Sequence, residues 1–160
     1  MKLTIKIIFK EIYRAFFEKN YRQFLKLTFK FGSYSRYTKR VVRFFIYSFI
    51  VPDTLSFIWQ FKEIFTDTIY AFQTNSSSPV IYDCGANIGT SVAYFKKIFL
   101  NSKLKAFEAN PQIAEVLCQN IIRNNIKDVE IIKKAVWTNN DGIMLNFDEA
   151  DSSSIYTNGK

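Results

Sequence analysis

The spacing of apolar positions changes character along the chain, and the change is clearest after Pro79. Val80-Ile81-Tyr82 is a short apolar run that reads as a strand. The chain then turns through Gly85 and Gly89, and Val92, Phe95, Ile98 and Phe99 recur at helical intervals. Lys103 to Glu108 reads as a second strand, with Leu104, Ala106 and Phe107 as its apolar positions. Asn110-Pro111 is an N-cap followed by proline at the first helical position, and Asn124-Asn125 closes the helix so begun. Val129 to Lys133 alternates weakly as a third strand. Asp141-Gly142 is a hairpin signal with Ile143 to Phe147 as the return strand, and the polar stretch from Asp148 to Lys160 reads as a loose tail. Strands alternating with helices predict an α/β fold with a parallel, doubly wound sheet.

Upstream of this unit the periodicity predicts helices. Residues 1 to 31 read as one long helix, with Lys2, Lys6, Lys10, Arg14, Arg22, Lys26 and Lys30 at multiples of four and Glu18 interrupting them. Ile8, Ile12, Phe16 and Phe24 supply an apolar side, but steps of four overshoot a turn, so the stripe winds around the axis. Gly32-Ser33 ends the helix. The run Phe44 to Val51 is far short of the ~20 residues needed to span a bilayer and stops at Pro52. It reads either as a buried helix or, beside Arg36, Lys39, Arg40 and Arg43, as an interfacial segment. Asp53 or Thr54 caps a further helix to about Phe72, with Phe57, Phe61, Ile64, Phe65 and Ile69 on one face. Gln73 to Pro79 is a polar linker. Two regions result: a helical, aromatic-rich region over 1–75 and a sheet unit over 76–160.

Charge sharpens that division. Through Asn75 there are 13 Lys/Arg and 5 Asp/Glu, whereas from Ser76 onward 9 and 9 cancel, so the whole net charge of +8 lies outside the sheet unit. The basic helix is either a solvated face or a docking face for an anionic membrane surface or an acidic glycan. Nucleic acid is not expected as a partner, because charge alone favours it and no recognition module is present. The chain has no histidine and only Cys84 and Cys118. That removes Ser-His-Asp and Cys-His nucleophiles and argues against a zinc site. Two cysteines without a CxxC motif, Cys84 being expected in a buried turn, suit a reducing compartment. Charges recur through the first helix with no unbroken apolar core, which is unlike a signal peptide. The expectation is a cytoplasmic protein, with peripheral contact at the inner membrane face as a further option.

The chemistry concentrates at Asp83-Cys84-Gly85-Ala86-Asn87-Ile88-Gly89-Thr90. An acid at the strand end is aimed over the sheet edge, the glycines let backbone approach a ligand, and the following helix offers unpaired N–H groups. Glu108, at the end of the second strand about 20 residues on, stands where a ribose diol is held in such architectures. A dinucleotide turn needs G-x-G-x-x-G to seat its pyrophosphate; here Asn87 takes the middle position. S-adenosylmethionine carries an ammonium group and no phosphate, so Asp83 suits it and would repel a pyrophosphate.

These residues resemble the FkbM-type methyltransferases from about Pro79 to Gly142. The likeness rests on Asp83 to Gly89, Ala106-Phe107-Glu108-Ala109-Asn110-Pro111, Asn120, Asn124 and Lys134-Ala135-Val136-Trp137. Ala109 departs from the proline usual in that family. The resemblance implies a partial class I, Rossmann-like methyltransferase sheet, S-adenosylmethionine as cofactor, and O-methylation of a sugar, glycan or secondary metabolite. It implies that Asp83 holds the methionine ammonium, that Gly85, Ala86, Asn87 and Gly89 form the turn, that Glu108 holds the ribose, and that backbone around Ala135 meets the adenine. It assigns no catalytic base. The chain ends before the further strands of a complete sheet, so a half-sheet is expected, either a truncated product that acts as a basic membrane- or partner-binding module, or one completed by a partner.

Overall fold

The computed structural model describes residues 2–139 and two short strands, Asn146–Phe147 and Ser153–Ser154, which pair antiparallel as β6 and β7. The expected Asp141-Gly142 turn, most of its return strand and most of the tail lie outside the described residues. The three strands expected after Pro79 are present: β3 (Val80–Cys84), β4 (Lys103–Phe107) and β5 (Val129–Ile132) form a parallel sheet in the order β3-β4-β5. Helix α4 (Thr90–Ile98) links β3 to β4, and α5 (Pro111–Arg123) links β4 to β5. Asn110 caps α5 by accepting from the backbone N–H groups of Gln112 and Ile113, with Pro111 in the first turn. The fold is α/β, as expected.

The region before Pro79 departs from expectation in three places. The first helix is two, α1 (Lys2–Phe17) and α2 (Lys19–Phe31), divided at Glu18, which is extended. A single straight helix would carry its winding apolar stripe off the core; the break resets α2 so that Tyr21, Leu27 and Phe31 are buried. The basic stripe is divided as well. Arg14 turns inward to bond Glu18, Asp67 and the Thr66 carbonyl.

The run expected as a helix or interfacial segment is instead a β-hairpin, β1 (Arg40–Phe44) and β2 (Tyr47–Val51). Val42, Phe44, Tyr47, Phe49 and Val51 face inward. Their period of two is hidden in the sequence because the two turn residues, Phe45 and Ile46, are apolar too. Third, the helix capped by Asp53 does not reach Phe72: α3 (Thr54–Phe61) passes into one π-helical turn (Lys62–Thr66) and stops at Asp67. Beyond it Tyr70 stacks on Phe95, and Phe72 packs on Phe99.

The hairpin docks on α5 through two asparagines. Asn120 accepts from the Ile50 N–H at 2.6 Å and donates to the Ile50 carbonyl at 3.0 Å; Asn124 does the same for Ser48, at 2.7 and 3.1 Å. Four residues of helix rise ~6 Å and two residues of strand ~6.6 Å, so an i, i+4 pair of amides matches alternate backbone groups of β2. Below this ladder Phe44, Phe49, Phe57, Phe61 and Phe65 join Ile88, Val92, Leu104 and Leu117 in one continuous core. The 1–75 region therefore packs directly against the face of the sheet unit that carries the glycine turn.

Candidate functional site

The turn between β3 and α4 is shaped by backbone that only certain residues accept. Gly85 and Gly89 have φ of +104° and +95°, and Asn87, among the residues that best tolerate the left-handed region, has +47°. The N–H groups of Gly85 and Ala86 both donate to the Phe107 carbonyl, which ties the turn to the end of β4. The two glycines differ in what lies beyond them. A Cβ on Gly89 would meet Leu117 Cδ1 at 2.9 Å, whereas one on Gly85 would meet nothing within 4 Å. Gly89 is required by packing against α5; the space over Gly85 is open.

Glu108 closes the arrangement from β4. Its Oε2 accepts from the Asn87 N–H at 2.9 Å and its Oε1 from the Asn110 N–H at 2.8 Å, so one carboxylate fastens the glycine turn to the cap of α5. A carboxylate has about four acceptor positions, and each oxygen keeps capacity for a second donor. Asp83 is only 8% exposed and its Oδ2 accepts from the Ser91 hydroxyl at 2.6 Å. Burial pushes its carboxyl above the ordinary carboxylate range; the Ser91 bond opposes this and the nearby Glu108 adds to it.

A cavity of about 150 Å³ opens over this turn. Gly85, Ala86, Asn87, Thr90 and Ser91 form one side; Gln60, Glu63, Ile64 and Tyr70, from α3, the π-turn and the segment after it, form the other. Gln60 and the Thr90 hydroxyl bond at 3.2 Å across the gap. Burial, then the charges of Asp83 and Glu63, raise the Tyr70 phenol. The carboxylates of Asp83 and Glu63 thus both act on one phenol beside an open glycine. Among the described residues no group of His, Cys, Asp and Glu is arranged to hold a metal.

Of the residues singled out by sequence, Asp83, Gly85, Ala86, Asn87, Gly89 and Glu108 are brought together. Ala135 is not: it is exposed, three residues beyond β5, and does not line the cavity. Cys84, expected in a buried turn, is exposed, because it points away from the face on which Asp83 is buried. Gln60, Glu63 and Tyr70 were missed. The legible signal was Gln60 and Glu63, polar residues three apart in an aromatic-rich helical stretch, a spacing that puts them on one side.

No protein-family model matches the chain. A curated relative, the methyltransferase sdnD of Sordaria araneosa, is 42% identical over 65 residues, covering 41% of this chain and 25% of that protein. The chain thus spans about a quarter of the length of the relative it matches. Among solved structures, M. jannaschii TYW2 in complex with AdoMet aligns with a TM-score of 0.48 at 26% identity, over 62% of this chain and 44% of that one. Coclaurine N-methyltransferase bound to N-methylheliamine and SAH aligns with a TM-score of 0.36 at 12% identity, over 80% of this chain and 42% of that one.

Proposed function

We propose that this chain carries the cofactor-binding part of an S-adenosylmethionine-dependent methyltransferase of the FkbM type, acting on a hydroxyl of a sugar, glycan or secondary metabolite. The observation that carries the reading is the carboxylate of Glu108 fastened to the glycine turn at Asn87, beside an open Gly85 and a helix whose first turn has no side-chain cap. The likeness to a curated methyltransferase over 65 residues supports it.

The residues fit such a cofactor in parts. The cavity is below the ~300–1,000 Å³ of whole small-molecule sites, so it suits the methionine end, with the nucleoside lying along the strand ends toward Glu108. Asp83 and Glu63 supply negative charge for the ammonium group; Asp83 acts from beneath, since it is buried on Ser91, and the exposed Glu63 acts from the rim. Glu108 accepts the ribose hydroxyls with the acceptor capacity that the two backbone N–H groups leave free. Backbone around Ala135 is proposed to reach the adenine. The bound cofactor supplies a methyl group activated by its sulfonium, so holding the acceptor oxygen in line contributes more than a strong base would. The acceptor and any base are assigned to no described residue.

Calorimetry tests this directly. S-adenosylmethionine and its demethylated product should bind and NAD should not, because Asp83 and the absent middle glycine disfavour a pyrophosphate. Glu108→Ala should lose about 1.5–3 kcal/mol of cofactor affinity, the range for hydrogen bonds to a charged group. NAD binding in preference to S-adenosylmethionine would remove the reading.

A further inference from the structure

The β1–β2 hairpin turns in two residues, Phe45 and Ile46, with Phe44 and Tyr47 as the closing pair. Such turns favour Asn-Gly because they need positive φ. Here Phe45, a bulky aromatic, is at φ +48°, and Ile46 is 89% exposed. A turn that sets both backbone preference and burial against its residues is where a functional constraint is to be sought.

What surrounds the tip gives that constraint its chemistry. A cavity of about 530 Å³ lies beside it, lined by Phe45, Ile46 and Tyr47, by Leu100 beyond the end of α4, and by the Asn124–Lys127 loop. Leu100 is 79% exposed, and Phe17, two residues before the lining Lys19, is 70% exposed. Lys19, Lys97 and Lys127 are exposed around these apolar side chains, and no carboxylate lines the cavity. Lys97 lies over the Phe45 ring at 4.3 Å and donates to Asn20 Oδ1 at 2.8 Å. Although the side chain as a whole is exposed, its ammonium is partly desolvated over the Phe45 and Phe65 rings, which, followed by the like charge of Lys19, holds it below the ordinary lysine range. Lys96 is buried, donates to the Ser102 carbonyl and feels Asp128. Cations that repel one another around protruding aliphatic side chains are complementary to a surface with negative charge above and hydrocarbon below.

We propose that this hairpin tip, with Leu100 and the rim of Lys19, Lys97 and Lys127, docks on an anionic phospholipid bilayer, Ile46 and Leu100 entering below the phosphates. Each basic residue near such a surface contributes on the order of 1 kcal/mol, about a fivefold change in partition. No helix among the described residues is long and apolar enough to cross a membrane, so the contact is peripheral.

Flotation of the full chain with vesicles of phosphatidylcholine alone, or of equimolar phosphatidylcholine and phosphatidylglycerol, tests this. Binding should be confined to the anionic vesicles and weaken as salt is raised. Lys19→Glu with Lys127→Glu, and separately Ile46→Ser with Leu100→Ser, should each lower it about tenfold or more. Circular dichroism should be unchanged, since all four side chains are exposed. Equal binding to neutral vesicles overturns the proposal. So does anionic binding that neither pair of substitutions weakens, which would place the contact elsewhere, for example on α1. A dimer that Ile46→Ser dissociates, without vesicle binding, overturns it in favour of a second copy of this chain.

Discussion

At the scale of single residues, Asp83 shows how a site sets itself against stability. Burial raises its carboxyl above the value of 3.8 expected in the unfolded chain, with the Ser91 hydrogen bond offsetting part of that. The unfolded state therefore ionises first. A raised acid contributes stability that is fully present below the unfolded pKa and is lost as pH rises through the folded one. Asp53 has the opposite sign: burial opposes ionisation, but the Ser56 and Arg36 bonds outweigh it, so its contribution is present at neutral pH and is lost on acidification. Asp83→Asn keeps a polar group against Ser91 and removes the charge. The variant should be more stable than the parent at neutral pH, and the gap should close as pH falls below about 3.8. Denaturant unfolding at a series of pH values measures it; a constant gap would show that Asp83 is not the titrating group. A buried acid that costs stability is consistent with a cationic ligand group that recovers it.

At the scale of elements, Asn120 joins three of them. Fully buried on α5, it bonds both backbone groups of Ile50 in β2 and donates to the Ile88 carbonyl in the glycine turn. Asn120→Ala strips partners from the buried Ile88 carbonyl and from two half-buried backbone groups of Ile50, so a loss of roughly 3 kcal/mol is expected, at about 1–3 kcal/mol for the buried group and less for each of the others. Asn124→Ala, at a half-buried position that bonds no fully buried backbone group of the glycine turn, should cost about 1 kcal/mol or less. Equal losses in chemical denaturation would mean that the ladder, and not the burial of its upper rung, sets the cost.

The same contrast separates what was legible in the sequence from what was not. Asn110-Pro111, the glycine turn and the strand ends follow local rules, so β3 to β5 could be read from residues alone. Asn120 was visible only as part of a resemblance and Asn124 otherwise only as a helix stop; neither showed its docking role, because their partners on β2 are 70 and 76 residues away. The hairpin failed for a local reason, two apolar residues where Asn-Gly was the expected signal. The π-turn that helps set Glu63 and Tyr70 at the cavity leaves no mark in apolar spacing, since one extra residue in a turn shifts the register without breaking it.

At the scale of the whole molecule, the distribution of the core decides how the chain unfolds. Composition divides the sequence near residue 75, yet the rings of Phe44, Phe49, Phe57, Phe61 and Phe65 share one cluster with Val92, Leu104 and Leu117. Among the described residues no second sheet covers the hairpin; its cover is α3 and α5. Isolated two-stranded hairpins are marginal in water, so β1 and β2 should open only when the α5 contact is lost. Native-state hydrogen exchange should therefore place the inward amides of β2 in the same slow class as those of β4, the strand paired on both sides. Helix α1 should exchange much faster, because Phe9, Tyr13, Phe16 and Phe17 on it are exposed. On β3, whose Val80 and Tyr82 are exposed and which pairs only with β4 among the described residues, amides turned away from β4 should be the least protected of the sheet. Fast exchange throughout β1 and β2 with slow exchange in β4 would show two independently opening units, and would detach the hairpin, and the docking surface at its tip, from the stability of the glycine turn.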